Sequence, residues 1–333
     1  MILVKFIYSN FFLYLNILLF FSCHNNNEFV ITGLTMGTTY TVKINTSITT
    51  NPDEIKSEID SILVGLNNIF STYDINSEIS LINSSNSKRN KISDELSRVL
   101  SKSLFYAELS NGFYDPTVYP LIELWGFSST NTFLKPSHEE IMNIKKNISY
   151  KEISILEQTL YRSNINSYID LSSIAKGYAV DTIFELLISK GYDNLMIDIG
   201  GELRCLSGKD NPWIVGISNP TKSGVYLETK IDDFSIATSG TYNNFTVYDG
   251  VEYSHIINPK TGYPINNSIL SCTVLSKHCV DADALATILM LLPVDDSLSL
   301  IEGLEKTECI ILVKDDNSLI EFKSRGFDKF IND

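Results

Sequence analysis

Positive charge is scarce in this 333-residue sequence, which has 26 Lys and Arg residues against 40 Asp and Glu residues and a formal net charge of −14. Proteins that bind nucleic acid usually present a basic face, because they must neutralise phosphates. No run of basic residues interleaved with aromatic residues occurs in the chain. We therefore exclude nucleic acid as a partner.

Cysteine is also scarce, with five residues in the whole chain and no C-x-x-C pair. No cluster of Cys and His has the spacing of a zinc site, so a structural zinc is not expected. Four cysteines lie in apolar, strand-like segments, and we predict buried free thiols there. Disulfides remain the alternative in an exported protein, although the sequence does not reveal their pairing. These four are Cys205, Cys272, Cys279 and Cys309.

A long apolar run at the amino terminus extends from Phe6 to Ser22 and follows a single base, Lys5. It is shorter than the roughly 20 apolar residues of a membrane-spanning helix. We predict that residues 1–22 are a signal peptide and that Cys23 is lipidated, as in a bacterial lipobox. Residues 23–30 would then form a polar tether on an exported protein that faces the periplasm. An ordinary signal peptide and an uncleaved anchor are the alternatives.

Hydrophobic periodicity predicts an α+β fold for residues 31–333, which we treat as one domain. Period-2 alternation indicates a strand at 40–44, further strand-like segments lie at 195–199, 213–217 and 225–230, and Asp249-Gly250 is a hairpin turn. Helices are predicted from Pro52, from about Leu96, from Ser137 with a capping box, from Ile174 to Lys190 and from Ala282 to Leu292. Strands and helices do not alternate regularly, so a doubly wound sheet is not expected.

Walker loops, G-x-G-x-x-G and G-x-S-x-G are absent, but three polar segments recur among the apolar elements. They read DLSSIAKGYA at 170–179, HIINPKTGYP at 255–264 and ADALAT at 282–287. Their sequence and order resemble the bacterial FAD:protein FMN transferases, the ApbE family. The resemblance implies mixed or antiparallel sheets with packed helices in a T-fold-like architecture. It also implies an enzyme that requires Mg²⁺, cleaves FAD and transfers FMN to a protein.

A magnesium site is predicted on the last of these segments. Asp283 and Thr287 are four residues apart, so a carboxylate and a hydroxyl share one face of a helix. Mg²⁺ prefers such hard oxygen ligands. The resemblance assigns the metal to these two side chains and to the backbone carbonyl of Ser173. The alternatives are a helix N-cap at Asp283 and a back-bonded hydroxyl at Thr287.

The resemblance also implies a set of residues that bind FAD. Met and aromatic side chains suit flat rings, while an ammonium beside a helix start suits a pyrophosphate. Ordinary core packing, a helix cap and a solvated lysine are the alternatives for individual members. The set is Met36, Tyr73, Tyr114, Asp115, Pro116, Asp170, Lys176, Thr238 and Ile257.

His255 is the only histidine in one of these segments, and we predict that it activates the acceptor hydroxyl or orients the phosphate. The alternative is a hydrogen-bonded structural histidine at the end of a hairpin.

Three functions are compatible with this pattern. The first is a transferase that joins FMN through a phosphoester to a Thr or Ser of a flavoprotein subunit in a membrane redox complex, with release of AMP. The resemblance implies an acceptor segment similar to D-x-x-[ST]-G-[AS]-[ST]. The second is a hydrolase that gives free FMN and AMP. The third is a non-catalytic flavin-binding lipoprotein, which would not need Asp283 and Thr287.

Overall fold

The computed structural model describes residues 27–128, 134–209, 211–241, 244–316 and 318–332. Its strands are β1 (Asn27–Thr35), β2 (Thr38–Thr46), β3 (Arg89–Lys91), β4 (Ile153–Leu156), β5 (Thr159–Arg162), β6 (Leu195–Ile199), β7 (Glu202–Leu206), β8 (Trp213–Ser218), β9 (Val225–Ile231), β10 (Phe234–Gly240), β11 (Phe245–Tyr248), β12 (Val251–Ser254), β13 (Ile257–Asn258), β14 (Tyr263–Pro264), β15 (Ile269–Ser276), β16 (Glu308–Asp315) and β17 (Ser318–Lys323).

The helices are α1 (Pro52–Phe70), α2 (Glu78–Ser84), α3 (Asp94–Leu109), α4 (Tyr119–Leu124), α5 (His138–Lys145), α6 (Ala175–Ser189), α7 (Cys279–Leu291) and α8 (Val294–Glu302), with 3₁₀ turns at Tyr150–Glu152 and Phe327–Phe330.

An eight-stranded sheet forms the centre of the fold, in the order β1-β2-β6-β7-β10-β15-β16-β17. Every strand pair in it is antiparallel. Helices α1, α6 and α7 pack on one face, where they share the main apolar core with β2, β6 and β15. The β8–β9 ribbon covers the other face with a second core. The α+β prediction is therefore confirmed.

Local sequence explains several element boundaries. Asn51 caps α1 with its side chain, and Pro52 follows at the first helical position. Ser137 and Glu140 form the predicted capping box of α5. Helix α6 ends at Ser189, just before Gly191 with its positive φ of 89°. The β11–β12 hairpin turns at Asp249-Gly250, as predicted, with φ positive at both residues.

Two boundaries differ from the prediction by three residues or more. Strand β1 begins at Asn27, so residues 27–30 belong to the sheet and not to the tether, because they continue the pairing with β2. Helix α7 begins at Cys279, three residues before the predicted start. Its first turn is stabilised from α6, since the Asp181 carboxylate accepts hydrogen bonds from the N–H groups of Cys279 and Val280 at 3.0 and 2.9 Å.

The predicted free thiols are confirmed: Cys205, Cys272, Cys279 and Cys309 are all buried and unpaired. The predicted signal peptide, Cys23 and the first part of the tether lie outside the described residues. Within the described ranges, no helix is both long enough and apolar enough to cross a membrane.

Candidate active site

Two helices meet end to side at the site, where the start of α6 contacts the second turn of α7. The N-cap residue of α6, Ile174, offers no side-chain hydrogen bond. Instead, the backbone N–H of Gly177 donates to Oδ2 of Asp283 at 2.9 Å. A carboxylate near a helix amino terminus also interacts favourably with the helix dipole. Asp283 is therefore not an N-cap of its own helix; it is buried and stabilises the start of α6.

Glycine at position 177 makes this approach possible. A Cβ atom built there would lie 2.4 Å from the carbonyl oxygen of Cys279 and 2.8 Å from the Cβ of Asp283. Such distances are far inside van der Waals contact. The sequence Lys176-Gly177 thus lets the backbone of α6 lie directly against α7, which fixes the Asp283 carboxylate.

A charged cluster forms at this junction. Nζ of Lys176 lies 3.0 Å from Oε1 of Glu202 and 3.8 Å from Oδ1 of Asp283. Burial opposes the charge of Lys176, but the two carboxylates outweigh it and raise the pKa of the ammonium. Burial raises the pKa of Glu202, and the neighbouring Lys176 partly offsets the effect. Oε2 of Glu202 is buried and has no hydrogen-bond partner among the described residues.

Thr287 and Ser173 are the other residues predicted to supply hard oxygen ligands beside Asp283. Thr287 lies one turn further along α7, and its hydroxyl is 3.3 Å from Oγ of Ser239 on β10 and 3.4 Å from the Asp283 carbonyl. In a regular helix the Gly177 N–H would donate to the carbonyl of Ser173, but here it donates to Asp283. One carboxylate, one hydroxyl and one carbonyl fit Mg²⁺, which keeps waters and binds substrate phosphates.

Softer metals lack suitable ligands in the structure. No group of three or more His, Cys, Asp or Glu side chains within the described ranges is arranged to hold a metal ion. An ion beside Asp283 would thus depend on one carboxylate, neutral oxygens and a bound phosphate. Zinc, which prefers nitrogen and sulfur ligands, does not fit this set.

His255 follows strand β12 and is held by the main chain. Its Nδ1 lies 2.9 Å from the carbonyl oxygen of Asn244, so Nδ1 must carry the proton and Nε2 is left as an acceptor. Burial lowers the pKa of His255, the Asn244 carbonyl partly offsets this, and the Lys176 charge lowers it further. His255 is therefore mainly neutral at pH 7, and the charge of Lys176 contributes to its lowered pKa.

The segment before α6 is joined to the segment before α4. The Asp170 N–H donates to the Pro116 carbonyl at 2.8 Å, and the side chain of Asn83 bonds both the N–H and the carbonyl of Ile169 at 2.8 Å. Tyr73 lies close by and is 65% exposed, and burial of its hydroxyl together with the charge of Asp170 raises its pKa. The structure thus joins Pro116 to Asp170, and Tyr73 is near enough to Asp170 for the carboxylate charge to raise the pKa of its hydroxyl.

Tyr114 and Asp115 are buried supports of the same region. The Tyr114 hydroxyl is 3.0 Å from Oγ of Ser103 and accepts from Oγ of Ser173 at 3.1 Å. The Asp115 carboxylate accepts from Thr117 and from the N–H of Tyr150 at 2.8 Å. Both side chains hold the loops that lead to the cluster.

Three other predicted residues occupy different surroundings. Met36 is in the β1–β2 turn with a positive φ of 47° and packs against the main core. Thr238 faces the side of the sheet away from α7, since the next residue, Ser239, contacts Thr287, and neighbouring strand residues point to opposite faces. Ile257 is buried in a third apolar cluster with Trp125. The structure does not bring these three to the Asp283 carboxylate.

A separate cavity of about 580 Å³ lies between α1, α3 and the opposite side of α6. Its walls include Ile62, Leu66, Tyr178 and Arg204. None of the residues predicted for the site lines it.

Comparison with known proteins identifies the family of this chain. Residues 36–311 match the ApbE family. The chain belongs to the ApbE family. It is 36% identical over 325 residues to a protein named FAD:protein FMN transferase from Vibrio cholerae, covering 95% of this chain and 97% of that protein. A Haemophilus influenzae protein of the same name is 32% identical over 324 residues, with 92% and 93% covered.

A solved structure described as the flavin transferase ApbE of Vibrio cholerae superposes on this ApbE-family chain with a TM-score of 0.85. The two are 35% identical, and the match covers 92% of this chain and 99% of that one. The family resemblance stated from the three segments is thereby confirmed, together with the fold that it implied.

Two residues of the site were not among the predicted set. Glu202 follows the turn Gly200-Gly201, where φ is positive at both glycines, and this pair was the available signal of a fixed close approach. Ser239 follows Thr238 on β10, so the two side chains point to opposite faces of the sheet. The sequence does not say which of the two faces α7 covers. Glu202 contacts Lys176 on α6, and Ser239 contacts Thr287 on α7. Both partners are far away in sequence, so local sequence does not reveal these contacts.

Proposed function

We propose that this chain is an FAD:protein FMN transferase that requires Mg²⁺ and releases AMP. The observation that carries the proposal is the charged cluster of Lys176, Glu202 and Asp283, in a chain of the ApbE family whose His255 has its pKa lowered by burial and by the Lys176 charge. A site for pyrophosphate chemistry needs positive charge, hard metal ligands and a base, and these residues supply all three.

Lys176 and the oxygen ligands have separate tasks in this proposal. The Lys176 ammonium binds the pyrophosphate of FAD and neutralises part of its charge. The Asp283 carboxylate, the Thr287 hydroxyl and the Ser173 carbonyl would hold Mg²⁺. When bound, the ion supplies charge neutralisation and orientation of the transferred phosphoryl group. Gly177 keeps the carboxylate in place through its N–H.

His255 would accept the proton of the acceptor hydroxyl. The hydroxyl oxygen of a Thr or Ser forms a bond to the phosphorus of the FMN half, and the bond from that phosphorus to the bridging oxygen breaks. AMP leaves with the bridging oxygen, and Nε2 of His255 takes the hydroxyl proton and returns it to solvent. The Asn244 carbonyl keeps the required tautomer.

We further propose export and attachment to a bacterial membrane through a lipid on Cys23, with the acceptor on a flavoprotein subunit of a membrane redox complex. A tethered enzyme outside the cytoplasm meets such subunits, whose flavins would otherwise diffuse away. Replacing Cys23 by Ser should release the protein into the soluble exported fraction. Unchanged membrane association would indicate an uncleaved helix instead.

The transferase is tested by incubating the protein with FAD, Mg²⁺ and a candidate acceptor, followed by mass spectrometry of the acceptor. We expect an acceptor heavier by FMN joined through a phosphoester, with free FMN as a minor product. Equal accumulation of free FMN and AMP with or without acceptor would establish the hydrolase. FAD binding without any AMP release would establish a flavin carrier.

A further inference from the structure

The Lys176 ammonium lies near two carboxylates but donates a hydrogen bond to only one of them. Its distance of 3.0 Å to Oε1 of Glu202 is a hydrogen bond, whereas 3.8 Å to Oδ1 of Asp283 is not. Oδ2 of Asp283 is engaged by the Gly177 N–H, so Oδ1 is the oxygen on which a cation would bind. The lysine therefore forms an ion pair with this oxygen but donates no hydrogen bond to it.

The backbone holds Glu202 in the position from which it accepts the hydrogen bond of Lys176. It is the first residue of β7, paired with Ile199 across the two-residue turn Gly200-Gly201. The N–H of Gly201 donates to the Asp198 carboxylate at 2.9 Å, which holds the turn. The Glu202 side chain is only 7% exposed. A carboxylate so deeply buried needs a specific partner, and Lys176 is that partner.

The charges explain what would follow without Glu202. Burial raises the pKa of Glu202 to about 8, and once Glu202 is ionised the cluster carries two negative charges and one positive, so it attracts a cation. Without Glu202, Lys176 and Asp283 would form a simple ion pair of zero net charge. The ammonium would then occupy Oδ1 and repel a divalent ion at the same place.

We propose that Glu202 is a positioning residue that binds the Lys176 ammonium and thereby keeps Oδ1 of Asp283 free for a divalent cation. This inference rests on the proposed metal dependence of the transferase. It assigns Glu202 a task that acts through Lys176 and not through contact with the reacting atoms.

A double-mutant cycle tests the inference without any turnover. Mn²⁺ binding to the full chain is measured by electron paramagnetic resonance, at fixed pH and without FAD or acceptor. The proteins are wild type, Glu202→Gln, Lys176→Met and the double variant. We expect Glu202→Gln to weaken Mn²⁺ binding about 30-fold when Lys176 is present but only about threefold when Met replaces it, because the competing ammonium is then absent.

Equal fold-changes in the two backgrounds would show that Glu202 acts only through its own charge and would overturn the inference alone. Wild-type protein that binds no Mn²⁺ would overturn the proposed metal dependence and the inference with it. Glu185→Gln is the matched control, since Glu185 is on α6 and pairs with Arg204 at 3.3 Å, away from the cluster. It should bind Mn²⁺ as wild type does.

A second variant covers the case in which Glu202→Gln does not fold. Glu202→Asp keeps the charge but withdraws the carboxylate by one methylene, so it holds the ammonium poorly. We expect weaker Mn²⁺ binding than in wild type when Lys176 is present. Wild-type affinity in this variant would contradict a role in holding the lysine.

Discussion

The charged cluster between α6 and α7 and the turn that carries His255 are built in different ways. Lys176, Glu202 and Asp283 come from regular helices and a strand, are largely buried and hold one another. His255 follows a short hairpin, is half-buried and is held by one main-chain carbonyl. If the proposed roles hold, the difference means that the side proposed for metal and phosphate is formed before substrate arrives, while the side with the proposed base stays open to a large acceptor.

Removing the carboxylate of the rigid region should have the largest effect. Asp283→Asn keeps the shape and an oxygen for the Gly177 N–H, but it removes the negative charge that would bind Mg²⁺. We expect about 1,000-fold slower AMP release, because both charge neutralisation and orientation are lost. The measurement is AMP release across a Mg²⁺ titration.

Asp281→Asn is the control for this substitution. Asp281 lies on the same helix but bonds Lys102 and the Tyr106 hydroxyl, both at 2.6 Å. It should change stability and leave the metal dependence as in wild type. A folded Asp283→Asn protein with the wild-type rate would show that Asp283 is not a metal ligand.

The base on the open side should matter less. We expect His255→Ala to slow transfer to the acceptor about 100-fold, which is the lower range for losing a general base. Binding of FAD, measured by flavin fluorescence, should change little. His138→Ala is the matched control, since His138 is exposed and bonds the Tyr263 hydroxyl. If His255→Ala lost FAD binding as strongly as transfer, the residue would be a binding residue and not a base.

The pH profile gives an independent check on His255. Burial lowers its pKa below the ordinary value of 6.5. A protonated Nε2 cannot accept a proton, so the transfer rate should be constant near pH 7 and fall only as pH drops through this lowered pKa. An acid limb centred above 6.5 would assign the titration to another group. The limb should disappear in His255→Ala.

Packing at the helix junction offers a smaller test. Gly177→Ala places a methyl group against the Cys279 carbonyl, so we expect a loss of about 1–3 kcal/mol in the free energy of unfolding. Gly65→Ala on α1 is the control, because nothing lies within 4 Å of a Cβ there. It should stabilise the protein by up to about 1 kcal/mol, as alanine is the better helix former. Equal effects at both positions would mean that α6 and α7 do not approach closely.

Local sequence predicted the parts of this site that depend on spacing along the chain. The i, i+4 arrangement of Asp283 and Thr287 needs only a helix, and the apolar run predicted one. The start of α7 was missed by three residues, because Asp181 is about 100 positions away in sequence and stabilises the first turn. Glu202 was missed for the same reason, since its partner Lys176 is on a different element.

The smallest expected effect concerns Tyr114, which lies behind the rigid cluster. Its hydroxyl bonds Ser103 and Ser173, while Ser173 would serve the metal through its carbonyl. Tyr114→Phe should therefore cost about 1 kcal/mol in the free energy of unfolding and change transfer less than threefold. Thermal and urea unfolding measure the first quantity, and adduct formation measures the second. Tyr178→Phe is the control, because within the described ranges its hydroxyl bonds a single side chain, Arg98, at 3.4 Å near the surface, and a loss below about 0.5 kcal/mol is expected. Loss of FAD binding in Tyr114→Phe would instead mean that this hydroxyl contacts the substrate directly, as a residue of the binding pocket would.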